Sequence, residues 1–276
     1  MKTNAVIRII IFSIVIILLL GILAAGLGVG MLVFDISIGN NEYITGSGSV
    51  DASQVKDLTI DWAAGSILID EADVDTISFA ESGKIVEGQE MVYALNGNTL
   101  SISYSKPAIQ IGLFSTPEKD LVITVPSDWL CEDFSIDSAS SDITVNNLKA
   151  NSIDLSSASG KCEFNNCDIV EVDIDTASGD IYYVGILSTL DCDAASADVT
   201  AVLTNIPQRI NMDSASGNLD LTLPENTGFT VELDSLSGKF QSDFDIKSNS
   251  GQYVHGNGEC KIDMDGASGS IRIRKG

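Results

Sequence analysis

The sequence predicts an all-β fold, a parallel β-solenoid. Three observations carry this: a short motif returning at a near-constant step, apolar and polar residues alternating around it, and a composition poor in helix formers. The motif reads IDSASSDI from Ile136, LSSASGKC from Leu155, IDTASGDI from Ile174, CDAASADV from Cys192, MDSASGNL from Met212, LDSLSGKF from Leu233 and MDGASGSI from Met264. Its central serines, Ser140, Ser159, Ser178, Ser196, Ser216, Ser237 and Ser268, follow at steps of 19, 19, 18, 20, 21 and 31 residues. A near-constant step means equivalent stacked units. Each unit is too short for two helices and sets Ser, Thr, Asp and Gly where a helix would need Ala, Glu and Lys, so strands remain.

Aligned on those serines, three apolar columns point inward. The first holds Phe134, Ile153, Val172, Leu190, Ile210, Val231 and Ile262, and the second Ile136, Leu155, Ile174, Cys192, Met212, Leu233 and Met264. The third, after the turn, holds Ile143, Cys162, Ile181, Val199, Leu219, Phe240 and Ile271. A slip of one residue would bury acids and expose aliphatics, so the register is strongly specified. A coil of about 19 residues, at roughly 3.3 Å per strand residue, holds two or three short strands and their corners. Successive windings then lie directly over one another, right-handed as strand crossovers nearly always are. An antiparallel sandwich of strands of about nine residues also fits the turn spacing, but the regular period favours stacking. Gly160, Gly179, Gly217, Gly238 and Gly269 suit a corner with positive φ or close backbone approach, a place taken by Ser141 and Ala197 in two coils.

The N-terminus sets the compartment. Residues 9–34 contain no charge and follow Lys2 and Arg8. A helix of that length, at about 1.5 Å per residue, spans a hydrocarbon core of roughly 30 Å with some tilt. The basic flank puts residues 1–8 in the cytoplasm. The alternative is a cleaved signal peptide, suggested by Ala24, Ala25 and Gly26; the apolar run continues past them through LGVGMLVF, which favours an uncleaved anchor. Residues 35–53, rich in Gly, Ser and Asn, read as a tether, and 54–276 as the ectodomain. The chain is thus expected in the cell membrane, crossing it once, with its C-terminal domain outside.

An eighth, earlier copy of the repeat, LTIDWAAGSILI, puts Leu58, Ile60, Ile67 and Ile69 in the inward columns and starts the solenoid near Val55. Residues 72–125 loosen into strand-like runs, TISFA, MVYAL and TLSISY, with Asn96-Gly97 as a tight turn. Two irregular loops are expected, one between Pro107 and Pro117 and one from about Asp243 to Gly258 with Tyr253 and His255. The apolar residues of the first read as folding back over a core edge, with contact to a partner or lipid as the alternative.

The chain carries 15 Lys and Arg against 39 Asp and Glu, a net charge of −24, which excludes nucleic acid and anionic lipid as partners of the solenoid. One outward column contains Asp137, Asp175, Asp193, Asp213, Asp234 and Asp265, interrupted by Ser156. Two residues earlier runs another, Asp154, Asp173, Asp191, Asn211, Glu232 and Asp263, on the same face. Coils about 4.8 Å apart make neighbouring carboxylates repel by roughly 1 kcal/mol when solvated and several times that when shielded. Divalent cations would relieve this, and Asp154, Asp173, Asp175, Asp191, Asp193 and Asp213 are the best-placed candidates for weak Ca²⁺ binding. The sequence has no DxDxDG-type loop or GGxGxD repeat, so the plainer alternative is a solvated acidic face that discourages aggregation.

Cys131, Cys162, Cys167, Cys192 and Cys260 fit neither a metal motif nor an even disulfide framework. Cys162 and Cys192 fall in apolar columns and read as core; a Cys162–Cys167 bridge across one coil is left open. No catalytic constellation is expected. His255 is the single histidine, the serines recur once per coil where a nucleophile would be unique, and no phosphate loop, CxxC or HExxH occurs. A β-helix carbohydrate-active enzyme with an acidic groove remains the enzymatic alternative, weakened by the scarcity of basic residues.

The membrane segment, tether, repeated I-D-x-A-S-G-D-I units and terminal ASGSIRIRK resemble the "putative adhesin" family, bacterial β-strand-repeat domains of unknown function, family number 4097, over Asp51 to Lys275. The resemblance implies an envelope-exposed, adhesin-like β-solenoid with no cofactor and no catalytic residues to carry over. Relatives found beside envelope-stress proteins imply a sensory or accessory role as the alternative. The expectation is therefore a membrane-anchored, non-catalytic binding module at the bacterial cell envelope, whose partner is a cell-wall glycan or an envelope protein.

Overall fold

The computed structural model describes residues 43–106, 116–249 and 252–276. The helix expected at 9–34 and most of the loop between Pro107 and Pro117 lie outside the described residues. Among the described residues no helix is long and apolar enough to cross a membrane.

Strands dominate the described chain. They are β1 (Ile44–Thr45), β2 (Gly48–Asp51), β3 (Asp57–Ala72), β4 (Thr76–Gly83), β5 (Val92–Asn96), β6 (Thr99–Ser103), β7 (Lys119–Pro126), β8 (Leu130–Asn146), β9 (Lys149–Ser159) and β10 (Cys162–Ser178). There follow β11 (Ile181–Ser196), β12 (Val199–Leu203), β13 (Arg209–Ser216), β14 (Leu219–Leu223), β15 (Phe229–Ser235), β16 (Phe240–Ser242), β17 (Lys247–Asn249), β18 (Gln252–His255), β19 (Cys260–Ser268) and β20 (Ile271–Lys275). Long strands such as β8 and β10 turn a corner midway and serve two sides of the coil.

Each coil has a broad side ending at the serine motif and a narrow side after the corner. Equivalent strands pair in parallel and in register: Ile136 faces Leu155, Leu155 faces Ile174, Ile174 faces Cys192 and Cys192 faces Met212. Like residues therefore stack on like, and the two sides enclose one apolar core running the length of the molecule. Of the three inward columns, only Leu233 and Phe240 are less than fully buried. The antiparallel-sandwich alternative is excluded for the repeat region by this parallel pairing.

The corner glycines sit where the reading placed them. A Cβ on Gly179, at φ 136°, would lie 2.0 Å from the Gly160 carbonyl oxygen, and one on Gly160, at φ 124°, 2.1 Å from that of Ser141. Inside the corner a hydroxyl two residues before the repeat serine closes the turn: Ser157, Thr176 and Ser214 each donate to the carbonyl oxygen of the serine two positions on. The repeat serines themselves point outward, so the turn is held by the residue before the Ala rather than after it.

The windings do not follow chain order at either end. At the far end β13 pairs with β19, and β19 with β15; likewise β14 pairs with β20 and β20 with β16. The last coil in sequence thus lies inside, and the coil before it is outermost. At the near end β3 lies between β8 and the pair β6 and β7, so the first coil in sequence is also second in space. Burying these segments between two neighbours satisfies both edges of their backbones.

The ends are finished with antiparallel strands. β5 and β1 extend the broad side beyond β6, and β4 and β2 extend the narrow side beyond β7. Ile44–Thr45 and Gly48–Asp51, expected in the tether, are thus part of the cap. The expected irregular loop after Asp243 instead forms the hairpin β17–β18, laid against β15. The Asn96-Gly97 turn between β5 and β6 is as expected, with Gly97 at φ 62°.

Under the near cap lies a polar cluster that no sequence pattern announces. Lys119 is 1% exposed; its Nζ is 2.7 Å from Glu81 Oε2 and donates to the carbonyl oxygens of Gln89 and Tyr104. The rings of Tyr104 and Trp62 face it at 3.8 and 5.1 Å. Burial pulls the ammonium below its usual pKa, and Glu81 opposes that shift. All three donor positions of the ammonium are used, which makes the burial tolerable.

Candidate functional site

The outer surface of the broad side carries both acidic columns. In one, Asp154 faces Asp173, Asp173 faces Asp191, Asp191 faces Asn211, Asn211 faces Asp263 and Asp263 faces Glu232. In the other, Asp61 faces Asp137, then come Ser156, Asp175, Asp193, Asp213, Asp265 and Asp234. All six aspartates proposed from sequence therefore share one face, Asp154, Asp173 and Asp191 in one row and Asp175, Asp193 and Asp213 in the next. Asp61 was the member that the seven-copy alignment left out. It belongs to the earlier copy of the repeat, LTIDWAAGSILI, and that alignment finds it.

Crowding and partial burial act on these acids together. Asp61 and Asp213 are pushed up to about 6, first by desolvation and then by neighbouring aspartates. Asp137, Asp173, Asp175, Asp193 and Asp265 are raised for the same two reasons in the same order, and Asp263 by desolvation and then by Glu232. Positive charge on this face is sparse: Arg209 pairs with Asp191, and Arg209 and Lys261 partly offset the shift at Asp263. Among the described residues no three His, Cys, Asp or Glu side chains converge closely enough to hold a metal ion. The face is a ladder of like charges rather than a cage.

A second polar feature follows the corner. A shallow groove of about 410 Å³ is lined by Asp180, Ser196, Asp198, Ser216, Asn218 and Ser268, among others. Its floor is a side-chain ladder one step past the corner glycines. Asp198 Oδ1 accepts from the Asn218 backbone N–H, Asn218 Oδ1 from that of Ser270, and Ser270 Oγ from that of Lys239. The Asp, Asn or Ser that follows most corners, at Ser66, Asp142, Asp180, Asp198, Asn218 and Ser270, was the signal for it.

The other sequence candidates resolve into structural roles. All five cysteines are buried and free, so Cys162 and Cys167 are not bridged, and burial pushes every one of these thiols up, to about 11 for Cys167 and about 12 for the rest. His255 packs against the rings of Phe229 and Phe244, with Nδ1 2.8 Å from the Asp245 carbonyl oxygen, within the far cap.

Among solved structures, a "putative cell adhesion protein" from Clostridium sporogenes is 12% identical with a TM-score of 0.38, over 86% of this chain and 100% of the other. A "putative adhesin" from Bacteroides fragilis is 12% identical with a TM-score of 0.41, over 84% and 97%. A "putative adhesin" from Parabacteroides distasonis is 7% identical with a TM-score of 0.31, over 85% and 98%. No curated protein matches the chain. The family model described as Toastrack DUF4097 matches residues 55–274, from the entry into β3 almost to the end of β20, and the chain belongs to that family.

Proposed function

We propose that this chain is a non-catalytic binding module of the bacterial cell envelope, held at the membrane by a helix at 9–34 and presenting the broad side of its solenoid outward. The observation that carries this reading is the pair of in-register acidic rows on one face. A regular face with one sign of charge suits a partner that brings positive charge, either a basic protein surface or a wall polymer bridged by divalent cations. Ca²⁺ would bind weakly and at several equivalent places along Asp154, Asp173, Asp175, Asp191, Asp193 and Asp213, since flexible oxygen ligation suits a ladder better than the octahedral demands of Mg²⁺.

A non-enzymatic role is supported by the repetition along the rows. General acid and base pairs need carboxyls in contrasting environments, whereas Asp137, Asp173, Asp175, Asp193 and Asp213 are all raised, by desolvation first and by neighbouring aspartates second. Pull-down with purified wall material, with and without Ca²⁺, tests the reading. Retention that needs the cation and is lost in a variant with Asp173, Asp191 and Asp193 changed to Asn is expected. Equal retention by that variant, or turnover of a wall glycan, would refute it.

A further inference from the structure

The two ends of the solenoid are finished differently. At the near end both sides are extended by two antiparallel strands. At the far end the broad side is extended by β18 and β17, while β16 on the narrow side has no outer partner among the described residues. The end is therefore a step, two strands high on one side and bare on the other. Two of the three inward-column residues of this outermost coil, Leu233 and Phe240, are only partly buried, unlike their counterparts in the inner coils, while the third, Val231, is buried.

The sequence breaks its own rule at the same place. The position three residues after the second inward column is Ala63, Ala139, Ala158, Ala177, Ala195, Ala215 and Ala267 in the other coils, and Leu236 in this one. Leu236 is 72% exposed, at the corner between the two sides of the step. The edge strands, Phe-Gln-Ser in β16 and Lys-Ser-Asn in β17, contain no acid in a chain of net charge −24.

We infer that this end is a homodimer interface, and that its occupant is a second copy of the same chain related by a two-fold axis lying along the strands. Such a rotation carries the raised broad side of one copy over the bare narrow side of the other, filling both steps at once. The rotated β17 then lies along the free edge of β16, and the same pair forms twice. Lys247 on each β17 then approaches the exposed Asp243 and Asp245 that follow the other copy's β16, and the two Leu236 side chains come to the same corner. A self-complementary patch of this kind is the commonest way for identical chains to associate. The acidic rows of two copies repel one another, so the broad side does not compete with this end as the contact.

The test is the molar mass of the full chain in detergent micelles, by light scattering across a concentration series. A dimer is expected, weakened about tenfold or more by Leu236→Asp, the loss of a central apolar contact. Ile44→Asp, at the opposite end, is expected to leave the dimer unchanged. Neither exposed substitution should move the melting temperature of the monomer. A chain that stays monomeric to about 100 μM, a concentration at which only very weak association escapes notice, overturns the inference. So does a dimer that Leu236→Asp leaves intact, since that dimer is built elsewhere.

Discussion

A methyl group at Gly179 would point at the Gly160 carbonyl oxygen only 2.0 Å away, from a backbone at φ 136°. Gly179→Ala is therefore expected to cost about 1–3 kcal/mol or more, from strain plus the shift of a stacked corner. Ala197→Gly should change stability by less than about 1 kcal/mol, because that corner already accepts a side chain. Chemical denaturation of both variants checks the contrast. Lys119 offers a second residue-level test. Lys119→Met strands Glu81, 4% exposed at its side chain, without its cation and should cost about 3–5 kcal/mol. The double variant with Glu81→Leu should recover a large part of that loss, and a double variant no more stable than the single would contradict the assignment. The corner glycines could be read from sequence because each follows the same motif. Lys119 could not, because its meaning depends on Glu81, 38 residues away, and on two rings brought over it from distant parts of the chain, Trp62 in β3 and Tyr104 just past β6.

Among elements, the strands of the repeat were readable and their order was not, for one physical reason. Alternation with period two fixes which side chains face inward, and the constant step fixes register, so Leu155, Ile174 and Cys192 could be aligned without a structure. The same uniformity makes the coils interchangeable. Ile262 and Met264 fit beside Ile210 and Met212 as well as Val231 and Leu233 would, so the columns carry no information about which coil comes next. Order is decided instead by the hairpin β17–β18, which lies against the outer edge of β15 and sends the chain back past Gly256 and Gly258, at φ 57° and 68°, to the inner edge of the same strand. That segment breaks the 19-residue rhythm, and a break in rhythm marks irregularity without giving its shape. The acidic rows were readable for the same reason as the core, being the other half of the alternation. The polar groove past the corner was overlooked because its Asp, Asn and Ser also read as ordinary turn residues.

For the molecule as a whole, the long acidic face costs stability at neutral pH. Carboxyls raised in the folded state hold protons that the unfolded chain, with aspartates near about 4, has released. Their contribution is fully present below that ordinary value and is lost as pH rises through about 6, the position of Asp61 and Asp213. The protein should therefore melt about 3 °C or more higher at pH 5 than at pH 7.5. Asp213→Asn should raise the melting temperature at pH 7.5 and flatten the dependence. A melting temperature that climbs between pH 5 and 7.5 would contradict the ladder's electrostatics.

The central claim is that like residues of neighbouring coils stack directly, in an order that departs from the sequence, and paired cysteines test it most directly. Facing residues in neighbouring strands, about 4.8 Å apart, fall within the Cα separation a disulfide accepts, about 4.4–6.8 Å, whereas residues two coils apart do not. The five native thiols are buried and free, so mild oxidation reports on introduced pairs. Asp213→Cys with Asp265→Cys should cross-link within one chain, because β13 and β19 are neighbours. Asp213→Cys with Asp234→Cys should not, although that pair is nearer in sequence. Cross-linking of the second pair with none in the first would contradict the account.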